Sequence, residues 1–198
     1  MEILLEKIGK HYNSQWLFRD ISFKLQAGES VAILGKNGSG KSTLLQIIAG
    51  LVKPSAGDVQ YTGFKSQHPH DIFSITSPLL VLPQDFTMAE IIAYQKSIGR
   101  LNYSPEVFAE QSNFTKKQIH QPVALFSSGM QQRLKTALCL LSENPVKLLD
   151  EPLTNMDHEG EIWYSNCLGL MKNGHILIVA GNNEKEYKLI NNHIRLSN

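Results

Sequence analysis

Two short stretches of this chain carry residue types that can do chemistry. The first reads Gly35-Lys36-Asn37-Gly38-Ser39-Gly40-Lys41-Ser42 and follows the apolar run Val31-Ala32-Ile33-Leu34. Glycines at this spacing let backbone N–H groups turn inward and approach phosphate oxygens without a bulky side chain in the way. A helix opening after the loop adds its positive dipole end, Lys41 can reach the β and γ phosphates, and the Ser42 hydroxyl can ligate Mg²⁺. Together these features favour a nucleoside triphosphate over a dinucleotide. The second stretch is the acidic pair Asp150-Glu151, which ends the segment Val146 to Leu149. Open parallel sheets hold ligands beyond the carboxyl ends of their strands. Adjacent carboxylates there suit two tasks: Asp150 can orient the Mg²⁺ shell, and Glu151 can polarise an attacking water as a general base.

The elements that must position these residues are legible in outline. Runs at 2–6, 21–25 and 31–34 read as strands, with Gln26-Ala27-Gly28-Glu29 turning between the last two. Leu44, Ile47, Ile48 and Leu51 fall on one stripe of a helix that Gly50 and Pro54 bring to an end. Val59-Gln60-Tyr61 is expected to be a short strand, 63–71 a polar loop, and Leu79 to Leu82 a return to the core. Thr87 with Glu90 forms a capping box for a helix through about Ile98, and Ser104-Pro105-Glu106 opens another. Leu134, Ala137, Leu138 and Leu141 stripe a longer helix from Gly129, and 146–149 and 176–180 read as strands. Lys147 interrupts the first of these two strands for no reason visible in the sequence.

A chain of 198 residues and 42% hydrophobic content can bury one α/β core with a small helical appendage. Its formal charge of +1 provides no basic field for nucleic acid, so no nucleic-acid partner is expected. No apolar run approaches the roughly 20 residues needed to span a bilayer, and the start lacks a signal peptide's apolar stretch. A cytoplasmic protein is expected. Cys139 and Cys167 stand among apolar neighbours and read as reduced core residues, and the histidines lack metal-ligand spacing.

As a set, in order and spacing, these motifs resemble the nucleotide-binding subunit of ATP-binding cassette (ABC) proteins over nearly the whole chain. The resemblance implies an α/β fold: a P-loop NTPase core with a mostly parallel sheet, an antiparallel N-terminal β subdomain and a small α-helical insert. It implies one domain over 1–198, with 1–85 and 127–198 forming the core and 86–126 an insert that extends into the signature helix. It assigns ATP and Mg²⁺ as cofactors. Tyr12 would stack on adenine, and Gly35, Lys36, Asn37, Gly38, Ser39, Gly40, Lys41, Ser42 and Thr43 would hold the phosphates. Gln84 would touch Mg²⁺ and the attacking water and report nucleotide state to the insert. Phe126-Ser127-Ser128-Gly129-Met130-Gln131-Gln132-Arg133 resembles the family's signature motif, which places Ser127, Ser128, Gly129 and Met130 against the γ-phosphate held by a second copy or a paralogue. In Asn155-Met156-Asp157, Asp157 matches the loop by which the two sites sense each other. A transmembrane permease subunit is the implied partner, placing the chain on the inner face of the cell membrane.

Two positions depart from the family pattern. Asn182 stands where the family carries its switch histidine; an amide can donate to a γ-phosphate oxygen but cannot become a cation or shuttle a proton. Ser128 stands where the signature motif usually has its first glycine. His175, at the beginning of its strand, lies at the wrong end to substitute for Asn182. The leading expectation is an ATPase subunit that powers a transporter. The alternative is a nucleotide-gated interaction module with weak turnover, motivated by Asn182 and Ser128.

Overall fold

The unbroken apolar runs at 31–34 and 176–180 require a sheet that is covered on both faces, and the chain builds one. A computed structural model describes residues 1–66, 68–170 and 174–196. In chain order the elements are β1 (Glu2–Tyr12), β2 (Gln15–Gln26), β3 (Ser30–Leu34), α1 (Lys41–Ile48), β4 (Ala56–Thr62), α2 (Pro69–Ile72) and β5 (Phe73–Thr76). Next come α3 (Met88–Ser97), α4 (Pro105–Gln111), α5 (Lys116–Ile119), α6 (Ser128–Leu140) and β6 (Val146–Asp150). The last are α7 (His158–Leu170), β7 (Ile176–Ala180), α8 (Glu184–Tyr187) and β8 (Asn192–Arg195).

Five strands form a parallel sheet in the order β5-β6-β7-β3-β8. Val31, Ile33, Leu148 and Ile178 face one side, with Leu44, Leu45 and Ile48 of α1 and with Ile3, Leu5 and Leu25 of the antiparallel sheet β2-β1-β4. Ala32, Leu149, Leu177 and Val179 face the other, with α6, α7 and the helices of the 88–119 region. Burial on both faces is what a parallel sheet requires. Among the described residues no helix is long and apolar enough to cross a membrane.

The α/β architecture, with its parallel sheet, antiparallel sheet and helical insert, is as expected. Several local expectations need correction. The second strand begins at Gln15 rather than 21, because Asn13 and Ser14 both take positive φ (46° and 64°) and close a two-residue hairpin matched to strand twist. Leu51 does not extend the helical stripe: Gly50, at φ 71°, ends α1, and Leu51 is 65% exposed. Residues 79–82 do not return to the core. Leu79 and Val81 are 88% and 78% exposed, and only Leu82 is buried. The carbonyls of Ser77, Pro78 and Leu80 turn instead to Lys135 Nζ at 3.1–3.3 Å, which leaves the apolar side chains outward. The strand of this region lies earlier, at β5, and β8 is a second one that the sequence did not announce.

The capping signals hold. Thr87 and Glu90 form the reciprocal box of α3, and Ser104 caps α4 with Pro105 in its first turn. Cys139 is buried and Cys167 half-buried, both as free thiols. The structure also accounts for Lys147: fully buried, it donates to the Ser142 carbonyl (2.5 Å) and hydroxyl (2.6 Å) just past the end of α6. A cation there meets the negative end of the helix dipole.

Candidate functional site

The phosphate loop joins β3 to α1 at the carboxyl end of the sheet. Gly40 is the N-cap of α1 at φ 94° and supplies no side-chain cap, so the first N–H groups of the helix remain available to an anion. A Cβ at Gly40 would stand 2.7 Å from Leu17 of β2, so packing and backbone conformation both demand glycine there. Lys41 is 6% exposed, and its Nζ curls over the loop to donate to the Gly35 carbonyl (2.9 Å) and the Lys36 carbonyl (3.3 Å). Ser42 opens outward at the start of the helix, with Thr43 half-buried behind it.

Strand β6 delivers Asp150 beside that helix start. The Ser42 and Ser77 hydroxyls lie near enough to the buried Asp150 carboxylate to favour its charged form, while Oδ1 has no hydrogen-bond partner among the described residues. Burial raises the carboxyl above its usual range and Glu151 adds to the rise, against the opposing pull of Ser42 and Lys41. A buried, unmatched anionic oxygen next to a hydroxyl suits a hard divalent cation, so these residues fit Mg²⁺.

Glu151 itself turns away from Asp150. Its φ of 44° is a left-handed conformation that a glutamate seldom takes, anchored by its N–H donating to the Ala180 carbonyl at 2.8 Å and by Thr154 N–H donating to its own carbonyl at 3.1 Å. The turn brings Glu151 to a cavity of about 230 Å³ shared with Asn37, Thr154, Asn182 and Glu186. Asn182 donates its side-chain amide to the Asn37 side-chain oxygen, which links the turn after β7 to the phosphate loop. Three strand ends, β3, β6 and β7, thus contribute one candidate residue each to a single cavity. His175 precedes β7, at the opposite end of that strand.

Other candidates lie further out. Gln84 donates to the Leu82 carbonyl (2.8 Å) and accepts from Gln131 of α6 (3.4 Å), while its own carbonyl accepts from Ala124 N–H (3.0 Å). It is therefore bound to the helical insert and the signature helix, and it does not line the Glu151 cavity. Ser127 caps α6 by accepting from Met130 N–H at 3.2 Å, so one of the expected anion donors is already engaged. Met130 packs its side chain on the core, beside the Gln118 amide, while Ser128 is exposed. A Cβ at Gly129 would meet the Asn155 carbonyl at 2.5 Å, so the signature turn rests on the 155–157 loop of its own chain. Asp157 caps α7 by accepting from Gly160 N–H at 2.7 Å. Tyr12 is half-exposed at the end of β1, with Lys10 Nζ 5.1 Å above its ring. Trp16, also exposed, packs over Gly9 and lies edge-on to His11.

Sequence reasoning missed Glu186. Its only local signal is Asn183-x-x-Glu186, the spacing of a capping box, which ordinarily describes an exposed residue.

The chain is similar to known proteins over most of its length. A family model described as ABC transporter matches residues 18–154. The cytochrome c biogenesis ATP-binding export protein CcmA of Agrobacterium fabrum is 30% identical over 175 residues, covering 85% of this chain and 82% of that protein. The petrobactin import ATP-binding protein FpuC of Bacillus anthracis is 32% identical over 176 residues, 81% of this chain and 64% of that one. A Pyrococcus furiosus structure described as an ABC transporter ATP-binding protein shares the fold with a TM-score of 0.83 at 19% identity, covering 99% of this chain and 98% of that one. A dimeric ATP-binding cassette in a post-hydrolysis state bound to ADP and Pi does so with a TM-score of 0.83 at 21% identity, covering 98% of this chain and 94% of that one. A phosphate loop and an acidic strand end that meet at one sheet edge, within a matching family model and alongside relatives of this identity, leave one conclusion: the chain belongs to the ABC transporter family, as an ATP-binding and ATP-hydrolysing subunit.

Proposed function

We propose that two copies of this chain, or one copy and a paralogue, clamp two ATP molecules at their seam, and that hydrolysis there drives a separate membrane subunit. The observation that carries this reading is the convergence of Asn37, Glu151 and Asn182 on one cavity beside the Ser42–Asp150 pair. Gly35 to Thr43 wrap the phosphates, and Tyr12 offers an exposed ring to the adenine. Ser42 and Asp150 would hold Mg²⁺, which would supply positive charge beside the phosphates. Glu151 orients and polarises the attacking water, and Asn182 donates to the γ-phosphate, a contact worth less than a histidine's because the amide carries no charge.

The other half of each site comes from the partner's signature turn, the equivalent of Ser127, Ser128, Gly129 and Met130 here. Because Gly129 rests on the Asn155 carbonyl, a displacement of the 155–157 loop moves the signature turn, which gives Asp157 and its neighbours a means of relaying one site to the other. Gln84, whose carbonyl accepts from Ala124 N–H, relays to the insert in the same way.

The membrane subunit finds an apolar groove of about 570 Å³ between β5, α3 and α6, with Phe73, Ile75, Phe86 and Tyr94 among its lining residues. Leu80 and Leu82 line it too, and the alternate residues Leu79 and Val81 are exposed. Docking there places the chain on the inner face of the cell membrane. Cargo and direction belong to the membrane subunit, since a relative named for export and one named for import match this chain about equally. The test is phosphate release by the purified chain, with and without Mg²⁺, beside Glu151→Gln. Release that depends on both the metal and Glu151 supports the reading, and release indifferent to Glu151 overturns the general base.

A further inference from the structure

The Glu186 carboxylate is 3% exposed, and its two oxygens collect N–H groups from two separate loops. Oε2 accepts from Asn182 N–H at 3.1 Å and Asn183 N–H at 3.2 Å, and Oε1 accepts from Leu153 N–H at 3.4 Å. A capping-box glutamate ordinarily serves its own helix start. Glu90 does so for α3 from an exposed position, accepting from the N–H and hydroxyl of Thr87. Capping accounts for the bond from Asn183 to Glu186. It does not account for the bonds from Asn182 and Leu153, nor for the burial.

The surroundings are shaped for the same purpose. Gly181 leaves no room for a side chain, since a Cβ there would fall 2.0 Å from Glu186 Oε2. From behind, the buried Tyr164 hydroxyl of α7 donates to the Glu186 backbone carbonyl at 2.8 Å. Burial and the nearby charge of Glu151 raise the Glu186 carboxyl above its usual range. Holding an anion in such a place is unfavourable, and the three N–H donors offset the cost.

We propose that Glu186 is a positioning residue for ATP hydrolysis: it fixes the turn that carries Asn182 against the loop that begins at Glu151, so that both meet the phosphate loop at Asn37. The proposal rests on the assignment of Glu151 as general base. In this role Glu186 acts through the two loops it joins rather than on the reacting atoms.

Glu186→Gln is the informative variant. It keeps one oxygen for the Asn182 and Asn183 N–H groups but turns an NH₂ toward the Leu153 N–H, which cuts the tie between the loops. Steady-state phosphate release over a range of ATP concentrations is measured together with affinity for a non-hydrolysable ATP analogue. Because small misplacements of catalytic groups are expensive, kcat falls by at least about tenfold. KM and analogue affinity stay within about twofold, the split expected when only the transition state is affected. An unchanged kcat, or kcat and affinity that fall together, overturns the proposal. If Glu186→Gln does not fold, Tyr164→Phe decides instead by releasing the helix turn from behind: a reduced kcat at constant KM supports the role, and parental kcat overturns it. Glu151→Gln separates the two levels. Parental turnover in that variant removes the general base, whereas an inactive Glu151→Gln beside a normal Glu186→Gln removes only the positioning role.

Discussion

Asn182, in the turn after β7, is hydrogen-bonded through its side-chain amide to the side-chain oxygen of Asn37 in the phosphate loop, 145 residues earlier in the chain. On the proposed reading, in which Asn182 stands where the family carries a histidine, a γ-phosphate would have to share this neutral amide with Asn37. Imidazole can carry charge and move a proton where an amide cannot, so Asn182→His raises kcat by about tenfold. Phosphate release at saturating ATP reads this directly. An equal or lower rate would mean that the site is adapted to its asparagine.

Lys41→Ala removes the cation expected to meet the β and γ phosphates and also strands the carbonyls of Gly35 and Lys36, which its Nζ serves in the structure. A charge-assisted bond contributes about 1.5–3 kcal/mol, so ATP affinity falls by roughly 10- to 100-fold or more. Calorimetric titration with ATP and Mg²⁺ gives the number. Parental affinity would exclude Lys41 from the phosphates.

Glu151→Gln preserves the volume of the side chain and removes its basicity. Phosphate release drops by about 10²- to 10⁴-fold while ATP stays bound. In light scattering with ATP and Mg²⁺, the variant is a dimer. A chain that remains monomeric with ATP, as both the parent and this variant, contradicts the two-copy clamp.

Lys147 gives a pH signature that is independent of catalysis. Burial pushes its ammonium down from 10.5 to about 8. Below pH 8 the folded chain must hold a buried cation. Between about 8 and 10.5 the folded chain has released the proton while the unfolded one keeps it, so stability rises with pH across this window, by on the order of 3 kcal/mol in total. Lys147→Met removes the dependence. In thermal melts its advantage over the parent is largest near pH 7 and shrinks toward pH 10, and a constant difference would mean that the Lys147 proton is not linked to folding.

What could be read in the chain is what lies close together along it. The phosphate loop occupies consecutive positions, 35–43, and its glycines, lysine and hydroxyls state their purpose locally. Asp150 and Glu151 are adjacent at a strand end, and the caps at Thr87 and Ser104 are set by neighbours three residues away. Strands β5 and β8 escaped notice because each is four residues long and gains its order from pairing with β6 and β3. Residues 79–82 misled because an apolar run was taken for core, whereas Lys135, more than 50 positions away, claims their backbone.

The sequence by itself determined that a triphosphate is gripped by a loop between strand and helix, and that two carboxylates stand at the end of another strand. Only the tertiary structure decided which distant residues meet: Asn37 with Asn182, Glu186 with Leu153, and Gly129 with Asn155. The reason is geometric. A turn or a cap is fixed by the few dihedrals between its own residues, whereas the cavity exists only because the order β5-β6-β7-β3-β8 sets the carboxyl ends of β6, β7 and β3 side by side, an arrangement to which no single stretch of the chain holds the key.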